Sequence, residues 1–302
     1  MVDRLRSALS ALGAILTGAG VLILLFVAYQ LWGTGLYTSR QQDSLRSQFK
    51  QKAQVAQSGP STTSTTIDPL HLPPPPPSGE SVANIRIPKI GVDKYVVQGV
   101  GLTDLRKGPG HYPQTPLPGE QGNAAIAGHR TTYGAPFNRL DELAAGDDVL
   151  VTTLKGSFTY KVATTHVVKP DQVEVLDPTP TPTLTLTTCN PKYSASQRLV
   201  VVANLAPGQT ATPATPSPTT PPGGKEQALP SEGLGDNAGL ASGRSKVPTI
   251  LWGLVTALIG FGWWWAIRTR RHWTSYVGGV VPFLIALFFF YAHLELLLPA
   301  NF

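Results

Sequence analysis

Long unbroken apolar runs stand towards the two ends of this chain, and short alternating ones fill its middle. Three runs, 11–32, 247–267 and 276–298, reach the roughly 20 apolar residues that a helix needs to cross a bilayer. The first is too long for a cleaved leader and is followed by no small-residue cleavage pattern, so it is expected to remain as an anchor. The second carries Trp263-Trp264-Trp265 near one end, where an interfacial aromatic belt would lie. The third contains Pro282, which predicts a kink. It closes on His293 and Glu295, expected to reach the interface rather than to form an intramembrane relay.

The middle of the chain has a different period. Ala83–Ile87, Lys94–Val97, Asn123–Ala127, Asp148–Thr152, Ser157–Val162, Thr183–Thr188 and Leu199–Leu205 are short, mostly β-branched runs parted by Gly, Pro and Asp clusters. With no long helix among them, they predict a mostly β domain, a closed or nearly closed barrel over 81–206. Its helical stretch is Phe137–Ala145. The polar segment 37–57 predicts a short exposed helix. Two tracts cannot bury a core: 59–80, where Pro73–Pro77 favour an extended polyproline rod, and 207–246, dense in Pro, Thr, Gly and Ser. The expected order is therefore a cytoplasmic N-terminus 1–10, a transmembrane helix 11–32, an extracellular polar stalk and Pro-rich linker 33–80 and the folded domain 81–206. A disordered linker 207–246, a transmembrane helix 247–267, a basic cytoplasmic loop 268–275 and a transmembrane helix 276–298 follow.

Charge agrees with that order. The formal net charge is +6. The excess flanks the apolar runs, at Arg4 and Arg6 and at Arg268, Arg270 and Arg271, whereas 81–206 is nearly balanced. Basic residues beside spans mark the cytoplasmic side, which leaves 33–246 outside. The expected partner is a lipid bilayer. Nucleic acid is not expected, because no basic stripe runs along the folded domain.

Candidate chemistry centres on Cys189, the one cysteine of the chain, which therefore has no internal disulfide partner. It closes the run Leu184–Cys189, and alternation puts it on one face with Thr187 and Thr185. His129 shares a face with Ala127, Ala125 and Asn123, whose small size leaves room for a peptide. Arg198 opens the next run, on a face with Val200 and Val202. The hairpin-length gap between Cys189 and Arg198 predicts adjacent strands. A lone buried cysteine is usually inert core, but a thiol, an imidazole and a guanidinium at strand ends form a set suited to acyl transfer. Cys189 is the expected nucleophile, His129 the general acid/base and Arg198 the group that stabilises the oxyanion or substrate. Thr188, Ala127, Tyr112 and Tyr193 are candidate substrate contacts, and His111, in a Gly-Pro-rich turn, reads as structural or as part of a substrate loop. Asp141, Glu142, Asp147 and Asp148 lack the spacing of a calcium loop, and neither metal nor cofactor is expected.

Thr185-Leu186-Thr187-Thr188-Cys189-Asn190-Pro191 followed by Arg198-Leu199-Val200-Val201 resembles the active-site end of a sortase. Gly122–Arg130 resembles that family's histidine strand, Ile85–Ile90 its opening strand and Lys107–Pro113 the segment before the histidine. The Leu-Thr-Thr-Cys-Asn-Pro form and the Pro-rich flanks are most similar to class E sortases of high-GC Gram-positive bacteria, actinobacteria, with class D as near neighbour. The resemblance implies a sortase β-barrel of about eight strands and cysteine transpeptidation. Its substrates would be secreted proteins bearing a C-terminal LPXTG-like signal, LAXTG for class E. Cys189 would attack the carbonyl of the signal's Thr, and an amine of a cell-wall precursor would resolve the thioacyl-enzyme. Two other readings stand beside it: a thiol protease that resolves the same thioester with water, and a non-catalytic surface scaffold on Pro-rich stalks. The Ser-His-Gly-Cys-x-Arg cluster of an L,D-transpeptidase is absent. Leu229–Gly233 has the layout of a sorting signal with Glu232 in place of Thr, and is expected to be a coincidence of linker composition.

Overall fold

The computed structural model describes residues 2–58, 76–214, 246–270 and 278–294. The expected motif Leu229–Gly233, the prolines Pro73–Pro75, the loop residues 271–277 and Glu295 lie outside the described residues. The chain divides into two compact units, Met1–Gly33 with Gly233–Ala300, and Thr34–Glu232. The described helices are α1 (Val2–Ala28), α2 (Thr34–Ser58), α3 (Leu102–Leu105), α4 (Val247–Arg270) and α5 (Val280–Leu294).

The first unit is helical and apolar. Two helical stretches, Leu16–Ala56, which begins in this unit, and Val247–Thr269, are long and apolar enough to cross a membrane; the first overlaps the expected span 11–32 and the second contains the expected span 247–267. The third expected span is present as the 15 described residues of α5. Pro282 stands in the first turn of α5, where a missing N–H breaks no helical hydrogen bond. Within this unit Gly253 and Gly260 face the rings of Phe290 and Phe283, the close approach that small residues permit between apolar helices.

In the second unit eight strands close into a barrel, as the short β-branched runs predict. They are β1 (Ser81–Ile87), β2 (Val92–Gln98), β3 (Gly110–His111), β4 (Asn123–Ala127), β5 (Asp148–Thr153), β6 (Gly156–Val168), β7 (Thr183–Asn190) and β8 (Gln197–Leu205). Around the barrel the order is β1-β2-β3-β4-β7-β8-β6-β5. The pairs β2–β3 and β4–β7 are parallel and the rest antiparallel. Alternation sends Ile85, Ile87, Ile126, Leu184, Leu186 and Val201 into one core, where all are fully buried. Each contributes about 1.5–3 kcal/mol by leaving water.

Three features differ from expectation. β6 continues past Val162 to Val168, because β8 pairs with it as far as Arg198. The stretch 137–145 forms only a 3₁₀ turn, Leu140–Glu142. Phe137, Leu140 and Leu143 all enter the core, and a spacing of three aligns side chains along a 3₁₀ rather than an α period. The polar segment 37–57 is neither short nor wholly exposed. It belongs to the 25-residue α2, whose Thr38, Gln42, Leu45 and Phe49 are buried at helical spacing. The Gln42 side chain bonds like a strand edge: Tyr95 N donates to its Oε1 (2.7 Å), and its Nε2 donates to Tyr95 O and Lys107 O (both 2.9 Å).

Candidate active site

β4, β7 and β8 run side by side; β7 carries Cys189, β8 carries Arg198, and His129 follows two residues after the end of β4. Leu184, Leu186, Ala124 and Ile126 point inward, so Thr185, Thr187 and Cys189, with Ala125 and Ala127, take the other face. Cys189 lies directly opposite Arg198 in the antiparallel β7–β8 ladder. The parallel β4–β7 register ends at Ala127↔Thr187 and is extended by Gly128 N donating to Thr187 O (3.0 Å). One step further along that register brings His129 alongside Cys189. Thiol and guanidinium are thus paired across β7 and β8, and the imidazole follows just past the end of the neighbouring β4.

All three are buried: Cys189 is 8% exposed, His129 5% and Arg198 2%. Arg198 is held from behind, its Nη1 donating to Ala195 O and Gln197 O (both 2.9 Å) in the β7–β8 loop. Those bonds fix the plane of the guanidinium. Tyr112 forms the floor, with its N donating to Ala125 O (3.1 Å) and its hydroxyl 3.2 Å from Thr187 Oγ1. Burial pushes its phenol well up, the Thr187 hydrogen bond and the Arg198 charge oppose this, and Cys189 adds to it. The tyrosine therefore stays a neutral hydroxyl within electrostatic reach of both groups.

The other candidates are placed differently. Ala127 shares the small outer face beside Tyr112. Thr188 is buried on the face opposite Cys189, and its Oγ1 donates to Gly128 O (2.7 Å), tying the end of β7 to the residue before His129. Tyr193 stands 77% exposed in the β7–β8 loop. His111 is in β3, not in a turn. It is buried among Gln98, Thr115 and Pro116 O, and burial pushes its pKa down to about 4, which suits a structural imidazole. Asp141, Glu142, Asp147 and Asp148 are each paired with a cation, respectively Arg130, Arg139, Lys89 and Lys161. Among the described residues no group of three His, Cys, Asp or Glu side chains gathers as for a metal ion.

Two residues matter here that the sequence did not single out. Arg130 is 4% exposed. Its Nη1 donates to Cys189 O (3.0 Å) and Asn190 Oδ1 (2.7 Å), and its Nη2 lies 3.2 Å from Asp141. A second arginine thereby fixes the cysteine's own backbone. Tyr133 lays its ring against the His129 imidazole, with centroids 5.0 Å apart. The only sequence signal for Arg130 is its place directly after the histidine, and Tyr133 has none.

Gly128 is required where it stands. A Cβ there would meet the Phe137 ring at 2.6 Å, and Phe137 is locked by its N–H to His129 O (3.1 Å). Gly128→Ala should therefore lower stability by about 1–3 kcal/mol through overpacking. A clear fall in the thermal midpoint checks this. An unchanged midpoint would mean that the ring has room to give way.

Comparison with known proteins places the chain among relatives. A sortase-domain family profile matches residues 85–206. Sortase SrtE1 of Streptomyces coelicolor is 31% identical over 207 residues, covering 63% of this chain and 55% of that protein. Sortase SrtE2 of the same organism is 31% identical over 220 residues, covering 66% of this chain and 82% of that protein. Sortase D of Bacillus subtilis is 35% identical over 101 residues, covering 33% of this chain and 50% of that protein. The chain thus spans about half the length of SrtE1 and Sortase D, and most of SrtE2.

Proposed function

The chain belongs to the sortase family, most like class E, and from that premise we propose that it is a membrane-anchored cysteine transpeptidase. It cleaves an LPXTG- or LAXTG-like signal between Thr and Gly and passes the new acyl end to an amine of a cell-wall precursor. The observation that carries the reading is the pairing of Cys189 with Arg198 across β7 and β8, with His129 just past the end of the neighbouring β4.

In this mechanism the Cys189 thiolate attacks the Thr carbonyl carbon and the carbonyl electrons move onto oxygen. Arg198 faces that oxyanion with its planar donors. As the C–N bond breaks, His129 protonates the departing Gly amine. In the second half the acceptor amine attacks the thioester, its proton passes to the now neutral His129, and the thiolate leaves. Ala127 and Tyr112 line the peptide's path, and Tyr193 serves at its exposed margin. Thr188 acts through Gly128, holding the histidine's strand end against the cysteine's. The anchors are the apolar helices, three spans in all. The basic residues at Arg4, Arg6, Arg268 and Arg270 lie on the cytoplasmic side, which places the barrel outside.

The test incubates the full chain in detergent with LAXTG, LPXTG and scrambled peptides, with and without an amine acceptor, followed by mass spectrometry. The expected result is an acyl adduct on Cys189 that the amine converts to a ligated product. Release of free acid regardless of acceptor would replace transfer by proteolysis. A folded protein with no adduct, whose thiol resists alkylation, would favour the scaffold.

A further inference from the structure

The segment that the sequence presents as a stalk enters the neighbourhood of His129. After His129 the chain turns through Tyr133, Gly134 and Ala135 at φ of 51°, 71° and 41°. Two of these three are not glycine, and such residues hold a left-handed conformation only where their surroundings impose it. The first turns of α2 do the imposing. Thr34 Oγ1 accepts the Tyr133 N–H at 3.1 Å, and the Thr38 side chain lies 3.6 Å from where a Gly134 Cβ would stand. Thr38 Oγ1 also donates to Arg106 O (2.9 Å), and the Arg106 guanidinium lies 5.3 Å from the Tyr133 ring centre. The Tyr37 ring meets Tyr133 edge-on at 6.5 Å. Thus framed, the buried Tyr133 ring packs on the imidazole of His129 at 5.0 Å and 36°.

We propose that α2 is a working part of the catalytic unit, with Thr34 and Thr38 setting the turn by which Tyr133, a positioning residue, orients the imidazole of His129. The role of Tyr133 in turnover rests on the acyl-transfer reading above; the packing of His129 does not. The family profile begins at residue 85, so a fragment cut to that boundary would lack this support.

The experiment uses the full chain in detergent micelles, labelled with ¹³C-histidine, with the His129 signals assigned through His129→Gln. Thr34→Val/Thr38→Val removes the hydroxyls and keeps the side-chain bulk. It should move the His129 ring resonances below the melting transition and lower kcat about 3–10-fold. Tyr133→Ala should lower kcat by about 10–100-fold with KM within about twofold. Tyr133→Phe keeps the ring and should recover most of that rate. The proposal is overturned if the double variant loses only thermal stability while the His129 signals and kcat stay put. A Tyr133→Ala enzyme whose KM alone changes would overturn it equally. If no form transfers any peptide, the resonances decide by themselves: a displaced His129 signal in the double variant upholds the positioning role, and an unmoved one ends it.

Discussion

Cys189→Ala abolishes peptide transfer and leaves the barrel folded. The substitution removes one sulfur at the end of β7 and keeps the Cβ, in a residue that is 8% exposed. The structural cost of so small a void is about 1 kcal/mol, within the reach of a barrel that buries a contiguous core. The chemical cost is of another order. No other thiol exists in the chain, and a methyl cannot form the acyl intermediate, so kcat should fall by about ten-thousand-fold or more. The check is paired: steady-state transfer together with the mass of the acyl adduct, and a thermal melt on the same sample. Near-normal turnover with an intact melt would remove Cys189 from the mechanism.

Arg198→Lys separates charge from geometry. Lysine keeps the positive charge opposite Cys189 but loses the plane. In the native site one guanidinium nitrogen serves Ala195 O and Gln197 O, and the proposed mechanism asks the same planar group to meet the oxyanion. A single ammonium on a flexible stem cannot hold the loop and meet a substrate oxygen in the same geometry. The expected loss in kcat is about 10²–10³-fold, the scale of a removed oxyanion donor, with a much smaller change in KM because the ground-state carbonyl demands less. Comparable activity in the lysine enzyme would show that a point charge suffices, and would transfer the directional role elsewhere, Arg130 being next in line.

Much of this arrangement is written in local pattern. The barrel strands are readable because each is a short β-branched run whose alternate residues meet one core, and Cys189 and Arg198 are readable as a hairpin pair. What escapes has a non-local cause. β3 is two residues long and is a strand only because β2 and β4 flank it. α2 looks like a solvated stalk because its buried face uses Thr38 and Gln42, polar residues whose partners lie more than fifty positions away on β2 and the segment after α3. Arg130 resembles any surface arginine until the β7 carbonyl it serves is brought beside it. Tyr133 acquires meaning only when the turn that carries it is forced into a left-handed path.

The parallel pairing of β4 with β7 bears on when the protein becomes reactive. Their side-by-side register joins segments separated in the chain by all of β5 and β6, and parallel strands cannot meet through a short turn. Long-range pairing of that kind forms late, after nearer contacts have offset the entropy of closing the loop. Until then the thiol has neither its imidazole nor, before β8 arrives, its guanidinium. A chain still folding therefore carries an unassisted cysteine past every peptide it meets. Its reactivity begins with the closing of the barrel, so that the last folding step is also the step that arms the enzyme.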